Sequence, residues 1–291
     1  MFTGAMVALV TPFQDGEIDF RTLDELIDFQ LENGIDGISP CGTTGESPTL
    51  SHAEHKGVIE RVVKAVGGKV PVIAGAGSNS TAEAIELTAF AKKVGADATL
   101  QVCPYYNKPT QEGFYQHFKA IAEEVDLPMV LYNIPGRCGG TGLTAETVAR
   151  LADIENIVAI KESTGRLDMA SEIATRCDIT IISGDDSLTL PICSVGGKGV
   201  ISVVANIVPA DVKAMTDLIL EGDFTSALKW HKKLFALCRD MLGLATNPIP
   251  VKAAMSMLNI ASEELRLPMT PLDEKIKAVL RQTLKDYGLL D

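Results

Sequence analysis

Eight times along this chain a short apolar run rich in β-branched residues is followed by a stretch of helical periodicity. The runs are Ala5–Val10, Gly37–Pro40, Val70–Gly75, Ala98–Cys103, Pro128–Asn133, Ile157–Lys161, Ile179–Ser183 and Gly199–Val204. They are too short for core helices and read as buried strands. The helical stretches are Thr22–Glu32, Ala53–Val66, Thr81–Val94, Gly113–Glu124, Thr144–Ala152, Leu167–Thr175, Ser187–Val195 and Ala210–Leu220. Ser51 and Ser80 each stand three residues before a glutamate, Glu54 and Glu83, as a capping box requires. Thr144 with Glu146 has cap and first-turn chemistry. Eight strand–helix units in about 220 residues predict an α/β fold, the (β/α)8 TIM barrel, whose usual length is ~250. An open doubly wound sheet fits less well, because eight is the closing number and no Gly-x-Gly-x-x-Gly follows the first strand.

From Phe224 the pattern changes to helices alone: Phe224–Leu244, Val251–Leu258 and Asp273–Tyr287. They are broken by Asn247-Pro248-Ile249-Pro250 and by Pro268-Met269-Thr270-Pro271. The expected division is a barrel over 1–223 and a C-terminal helical region over 224–291. A net charge of −12 argues against nucleic acid or an anionic membrane as partner. It leaves room for small anionic substrates, which need only one local cation. The start, Met1-Phe2-Thr3-Gly4, has neither the basic nor the apolar region of a signal peptide, and no apolar stretch reaches membrane-spanning length. The six cysteines contain no Cys-x-x-Cys pair. A cytoplasmic protein with reduced thiols is the expectation.

Barrel topology turns distant residues into neighbours, since strand ends gather at one mouth, where barrel enzymes keep their chemistry. Thr11, Thr43, Thr44, Tyr105, Tyr106, Tyr132, Asn133, Lys161 and Ser183 are the polar ends of the predicted strands. Lys161 is the most informative of them. Burial disfavours an ammonium and yields the free amine, the form that attacks a carbonyl to make a Schiff base. Its ordinary alternative is a strand-end lysine with its charge in water. Tyr132 could shuttle protons beside such a lysine, or simply edge the core. Gly42-Thr43-Thr44-Gly45-Glu46-Ser47 can hold a carboxylate with N–H groups and hydroxyls, or be a plain glycine turn. Arg137 offers a bidentate fork to a carboxylate, or is a solvated loop arginine. His52-x-x-His55 and Asp185-Asp186 lack the companions a metal site needs, and Gly196-Gly197-Lys198-Gly199 lies at the wrong end of its strand for a phosphate loop.

The ordered set of motifs carries more than any member. Val10-Thr11-Pro12, Gly42-Thr43-Thr44-Gly45-Glu46-Ser47, Pro104-Tyr105-Tyr106-Asn107-Lys108-Pro109, Tyr132-Asn133-Ile134-Pro135-Gly136-Arg137, Ile160-Lys161-Glu162-Ser163, Ser183-Gly184-Asp185-Asp186 and Gly199-Val200-Ile201-Ser202-Val203 together resemble the pyruvate-dependent class I aldolase (N-acetylneuraminate lyase) family. The resemblance covers nearly the whole length, including Asn247-Pro248-Ile249-Pro250-Val251-Lys252. It is greatest to the branch that condenses pyruvate with L-aspartate 4-semialdehyde in lysine (diaminopimelate) biosynthesis. Sister aldolases acting on sialic acid or a keto-deoxy sugar acid are the alternative; Arg137 and Tyr106 favour a short carboxylated aldehyde instead.

The resemblance implies that Lys161 forms the imine with pyruvate and that Tyr132, Thr43 and Tyr106 relay protons, Tyr106 coming from a neighbouring subunit. Thr44 then binds the pyruvate carboxylate, Arg137 receives the carboxylate of the semialdehyde, and Gly184 and Ile201 line the site with main chain. It also implies a homotetramer built as a dimer of dimers and no cofactor beyond the covalent imine. Ser47, His52, His55, Asn79, Glu83 and Tyr105 match positions with which lysine-inhibited relatives hold free L-lysine. Glu83 would accept its ammonium, and the two histidines would vary their charge near neutrality. The ordinary alternative is that these are cap and interface residues. A barrel without activity that serves as a binding protein, and a metal-dependent barrel hydrolase, are further readings that the intact lysine, tyrosines and threonines disfavour.

Overall fold

A computed structural model describes residues 2–291. Eight parallel strands form one sheet: β1 (Gly4–Ala8), β2 (Gly37–Ser39), β3 (Ile73–Gly75), β4 (Ala98–Val102), β5 (Met129–Asn133), β6 (Ile157–Glu162), β7 (Thr180–Ser183) and β8 (Gly199–Ser202). Each strand pairs with the next in sequence, β8 pairs with β1, and a bridge from Ile38 to Val72 closes the last seam between β2 and β3. The predicted TIM barrel is thus present, with every expected strand at its place to within a few residues.

Helices α1 (Phe20–Glu32), α2 (His52–Val66), α3 (Thr81–Val94), α4 (Gln111–Glu124), α5 (Ala145–Ala152), α6 (Leu167–Arg176), α7 (Thr189–Ser194) and α8 (Pro209–Leu220) follow the strands in turn. The C-terminal helices are α9 (Phe224–Gly243), α10 (Ile249–Met257) and α11 (Glu274–Tyr287). No helix among the described residues is long and apolar enough to cross a membrane.

The strands read as apolar runs because both of their faces are buried. All five residues of β1 and of β5 are buried. On β5, Leu131 packs outward under the helices, while Val130 and Tyr132 pack inside with Met6, Ala159, Ile182 and Ile201. That two-residue alternation sends Tyr132, and Lys161 two residues beyond Ala159, into the barrel. At the opposite face Gly199 has φ +154°, and a Cβ there would stand 2.1 Å from the Gly4 carbonyl oxygen. Gly199, the first residue of β8 and the register partner of Gly4, lets β8 close against β1.

The two capping motifs behave differently. Ser51 and Glu54 form the full reciprocal box on α2, at 3.3 and 2.7 Å. On α3, Ser80 Oγ accepts from the Glu83 N–H at 3.5 Å, but the Glu83 carboxylate turns away to Ser78 and to His52 Nε2. Stronger polar partners outcompeted the cap, which corrects the sequence reading by half a motif.

A two-residue hairpin, Phe13–Gln14 with Glu17–Ile18, was not anticipated. Its signal was the Asp15-Gly16 pair, both at positive φ as the tight hairpin turn demands.

Candidate active site

Tyr132 and Lys161 are register partners on β5 and β6, so they enter the barrel side by side. Lys161 is 5% exposed. Its Nζ lies 4.4 Å from the centre of the Tyr132 ring. Burial holds the Lys161 ammonium down to about 8; the carboxylates of Asp185 and Asp186 oppose that shift and the Arg137 guanidinium adds to it. At pH 7 about one molecule in ten then carries a free amine, against about one in several thousand for an ordinary lysine. Burial pushes the Tyr132 phenol up to about 12, while Arg137, Thr43 and Ser163 favour its ionised form. The phenol therefore keeps its proton at neutral pH and can donate it.

The floor of the site is set by absence of bulk. A Cβ at Gly184 would stand 1.7 Å from Ser163 Oγ and 2.9 Å from Lys161 Cε. Glycine at 184 is what leaves the lysine its space. Behind the strand ends, Asn133 Nδ2 donates to Glu162 Oε2 and to the Leu143 carbonyl, each at 3.2 Å. Glu162 Oε1 accepts from the Thr164 N–H at 2.7 Å. These bonds fix the β5 and β6 termini that carry Tyr132 and Lys161.

The loop after β2 brings in the threonines. Thr44 is buried, and its Oγ1 accepts from Asn247 Nδ2 at 3.0 Å. Thr11 Oγ1 donates to the Gly45 carbonyl at 2.7 Å, and a Cβ at Gly45 would crowd Cys41 N at 3.0 Å. Arg137 ends a 3-10 turn, Pro135–Arg137, and donates to the Asn247 carbonyl at 3.3 Å. Thr43, Thr44, Tyr132, Arg137, Lys161 and Gly184 line one cavity of about 370 Å³. It offers a free amine, a protonated phenol, hydroxyls and a guanidinium around a space for a small carboxylated carbonyl compound.

A second cavity of about 410 Å³ is lined by Ser47, His52, His55, Glu83 and Tyr105, and shares Thr43, Tyr132 and Arg137 with the first. His52 Nε2 sits 2.6 Å from Glu83 Oε1. His55 is buried with Nε2 at 2.7 Å from the Gly75 carbonyl, an arrangement in which the ring donates. Burial lowers the His55 pKa below the ordinary histidine value, and the bond to the Gly75 carbonyl opposes that shift. Burial also raises the Tyr105 phenol, and Glu83 adds to that.

Three expected residues stand elsewhere. Tyr106 is 90% exposed with φ +70° and lines neither cavity of its own chain. Ile201 packs in the barrel interior with Tyr132 and is not among the residues lining the first cavity. Asn79 does not line the second cavity; its Nδ2 donates to the Tyr105 carbonyl at 3.2 Å. Asp186 is a structural acceptor, taking bonds from Ser202 and from the Val203 N–H. Among the described residues no group of three or more His, Cys, Asp or Glu side chains is placed to share a metal ion.

Asn247 and Asp185 belong to the first cavity and were missed as site residues. Asn247 had a signal, an amide held beside the Pro248-Ile249-Pro250 run.

Residues 1–287 match the Dihydrodipicolinate synthetase family. A relative from Pelobacter propionicus, named 4-hydroxy-tetrahydrodipicolinate synthase, is 54% identical over 292 residues, covering all of both chains. The structure of dihydrodipicolinate synthase from Acinetobacter baumannii, described as chloride-inhibited and complexed with pyruvate, superposes with a TM-score of 0.97 at 43% identity, covering 100% of both chains. The enzyme from Cyanidioschyzon merolae with lysine bound gives a TM-score of 0.95 at 43% identity, covering 99% of each.

Proposed function

Because this chain belongs to the dihydrodipicolinate synthetase family, we propose that Lys161 is the group through which it works, by condensing its amine with pyruvate. The chain is a lyase of the class I aldolase kind, a 4-hydroxy-tetrahydrodipicolinate synthase of lysine (diaminopimelate) biosynthesis. The full-length relatives carry that activity's name, which leaves the sialic acid and sugar-acid alternative without support. What supports the role of Lys161 is its state: a buried amine, held down to about 8, against a protonated tyrosine.

In this reading the Lys161 amine adds to C2 of pyruvate, and Tyr132 passes protons as water leaves and the imine forms. Thr44 and the loop N–H groups hold the pyruvate carboxylate. Loss of a methyl proton gives an enamine, which attacks the aldehyde carbon of L-aspartate 4-semialdehyde. The substrate's amine then attacks the imine carbon, closes the ring and releases Lys161. The iminium is the electron sink, so neither a metal nor an organic cofactor enters the scheme. Residues 1–223 carry this chemistry, and 224–291 form a helical region that braces the mouth. The reaction is read as cytoplasmic, with no nucleic acid or membrane partner. The assembly is read as a homotetramer in which Tyr106, exposed on its own chain, completes the relay of a neighbour. Treating the protein with pyruvate and borohydride, then mapping peptides by mass, tests the proposal: the adduct is expected on Lys161 and nowhere else.

Arg137→Ala is expected to raise KM for the semialdehyde about 10- to 150-fold, the loss of one charge-assisted contact. Borohydride trapping of pyruvate should fall far less. An equal fall in trapping would remove Arg137 from the acceptor side.

We further read the second cavity as the seat of feedback inhibition by L-lysine. Its Glu83 carboxylate already holds His52 and can accept an ammonium on the same face. It shares Tyr132, Thr43 and Arg137 with the catalytic cavity, a route of a single side-chain layer. Millimolar L-lysine is expected to inhibit the wild type partially and cooperatively, and Glu83→Ala hardly at all. Equal insensitivity of both proteins would refute the site and leave the catalytic reading intact.

A further inference from the structure

The Asn247–Lys252 motif lies outside the barrel, and the chemistry above uses none of its charge. Lys252 is nevertheless one of the most enclosed side chains in the molecule. Its side chain is 1% exposed and that of its partner, Glu46, 2%. Lys252 Nζ donates to Glu46 Oε1 and, at 2.9 Å, to the Glu264 carbonyl, and lies 4.2 Å from the centre of the Phe13 ring. The other Glu46 oxygen accepts from the Arg266 N–H at 3.2 Å. Glu46 itself has φ +54°, a left-handed backbone that a side chain rarely adopts without being held.

Glu46 is two residues beyond Thr44, and Thr44 Oγ1 is the atom that Asn247 grips at 3.0 Å. The segment at the start of α10 therefore holds the threonine loop at two points, Asn247 on Thr44 and Lys252 on Glu46. A buried ion pair is a poor device for stability alone, since apolar residues of equal volume often serve as well or better. What it supplies here is direction, because an ammonium with fixed partners permits one placement of the carboxylate it holds.

We propose that Lys252 and Glu46 are positioning residues for substrate binding: their ion pair latches the loop after β2 onto α10, and so sets Thr44 and the neighbouring loop N–H groups where the pyruvate carboxylate is received. The inference rests on the reading that this loop binds pyruvate. Neither residue touches the substrate.

The test uses the full-length protein and two variants, Lys252→Met and the double variant Lys252→Met with Glu46→Gln. The single variant leaves a carboxylate buried without its partner and can fail to fold; the double variant removes both charges and keeps both volumes. In the folded double variant, KM for pyruvate is expected to rise about tenfold while kcat stays within about threefold, the signature of lost ground-state positioning. Amide hydrogen exchange over residues 42–49 is expected to speed up about tenfold, with the β5 and β6 peptides unchanged. Unchanged exchange in 42–49 overturns the latch. Faster exchange with an unchanged pyruvate KM overturns its role in binding. Borohydride trapping on the wild type runs alongside: if the wild type traps no pyruvate the reading of Lys161 fails, while the exchange measurement still decides the latch.

Discussion

Lys161→Ala is expected to lower turnover by at least about 10³-fold and to abolish the borohydride adduct, because the residues of such a site act as a unit and the nucleophile has no substitute. The effect is large because the loss is chemical rather than structural. Alanine fits the interior position, so the variant should fold and still admit pyruvate without trapping it. The pH dependence gives an independent check. Burial depresses the Lys161 pKa to about 8, so the free amine grows as pH rises through that value. The initial rate of imine trapping should climb about tenfold per pH unit from about pH 6, bend near 8 and flatten above. A rate still climbing at pH 10 would mean an ordinary solvated lysine, and an adduct on another peptide would move the mechanism elsewhere.

Tyr106→Phe is expected to lose about 10²-fold or more in turnover, the range for removing one acid–base group. In its own chain Tyr106 is 90% exposed and lines neither of the two cavities described above, so its hydroxyl stands outside the site of its own chain. The loss is thus a statement about a neighbour. When Tyr106→Phe is mixed with Lys161→Ala under conditions where subunits exchange, sites combining a good lysine with a good tyrosine should form, and activity should return. Proven exchange without recovery would place the action of Tyr106 within its own chain or deny it altogether.

The barrel was legible because two local signals coincide: strands buried on both faces spell continuous apolar runs, and capped amphipathic helices separate them. The convergence of Tyr132 and Lys161 followed from topology, since neighbouring strand ends in a barrel must meet. What sequence could not supply was pairing between distant segments. Nothing near Glu46 announces that Lys252, some two hundred residues on, will hold its carboxylate. Nothing near Thr44 announces Asn247. The Ser80–Glu83 box failed for a related reason: a local motif is only an offer, and Ser78 and His52 made a better one. Nothing near His55 announces that its ring will be buried against the Gly75 carbonyl.

Gly184 has a consequence on a longer scale. With 1.7 Å between its missing Cβ and Ser163 Oγ, and 2.9 Å to Lys161 Cε, a heavier residue there must displace the serine and press on the lysine. The Lys161 side of the cavity is closed to drift. Gly136, beside Arg137 at the same cavity, is the opposite: a Cβ there meets nothing within 4 Å. Descendants of such a chain would inherit one keto acid as a fixed ancestral trait. They would be free to explore new aldehydes by mutation along the Gly136–Arg137 rim, so diversification would run through the electrophile and leave the nucleophile as it was.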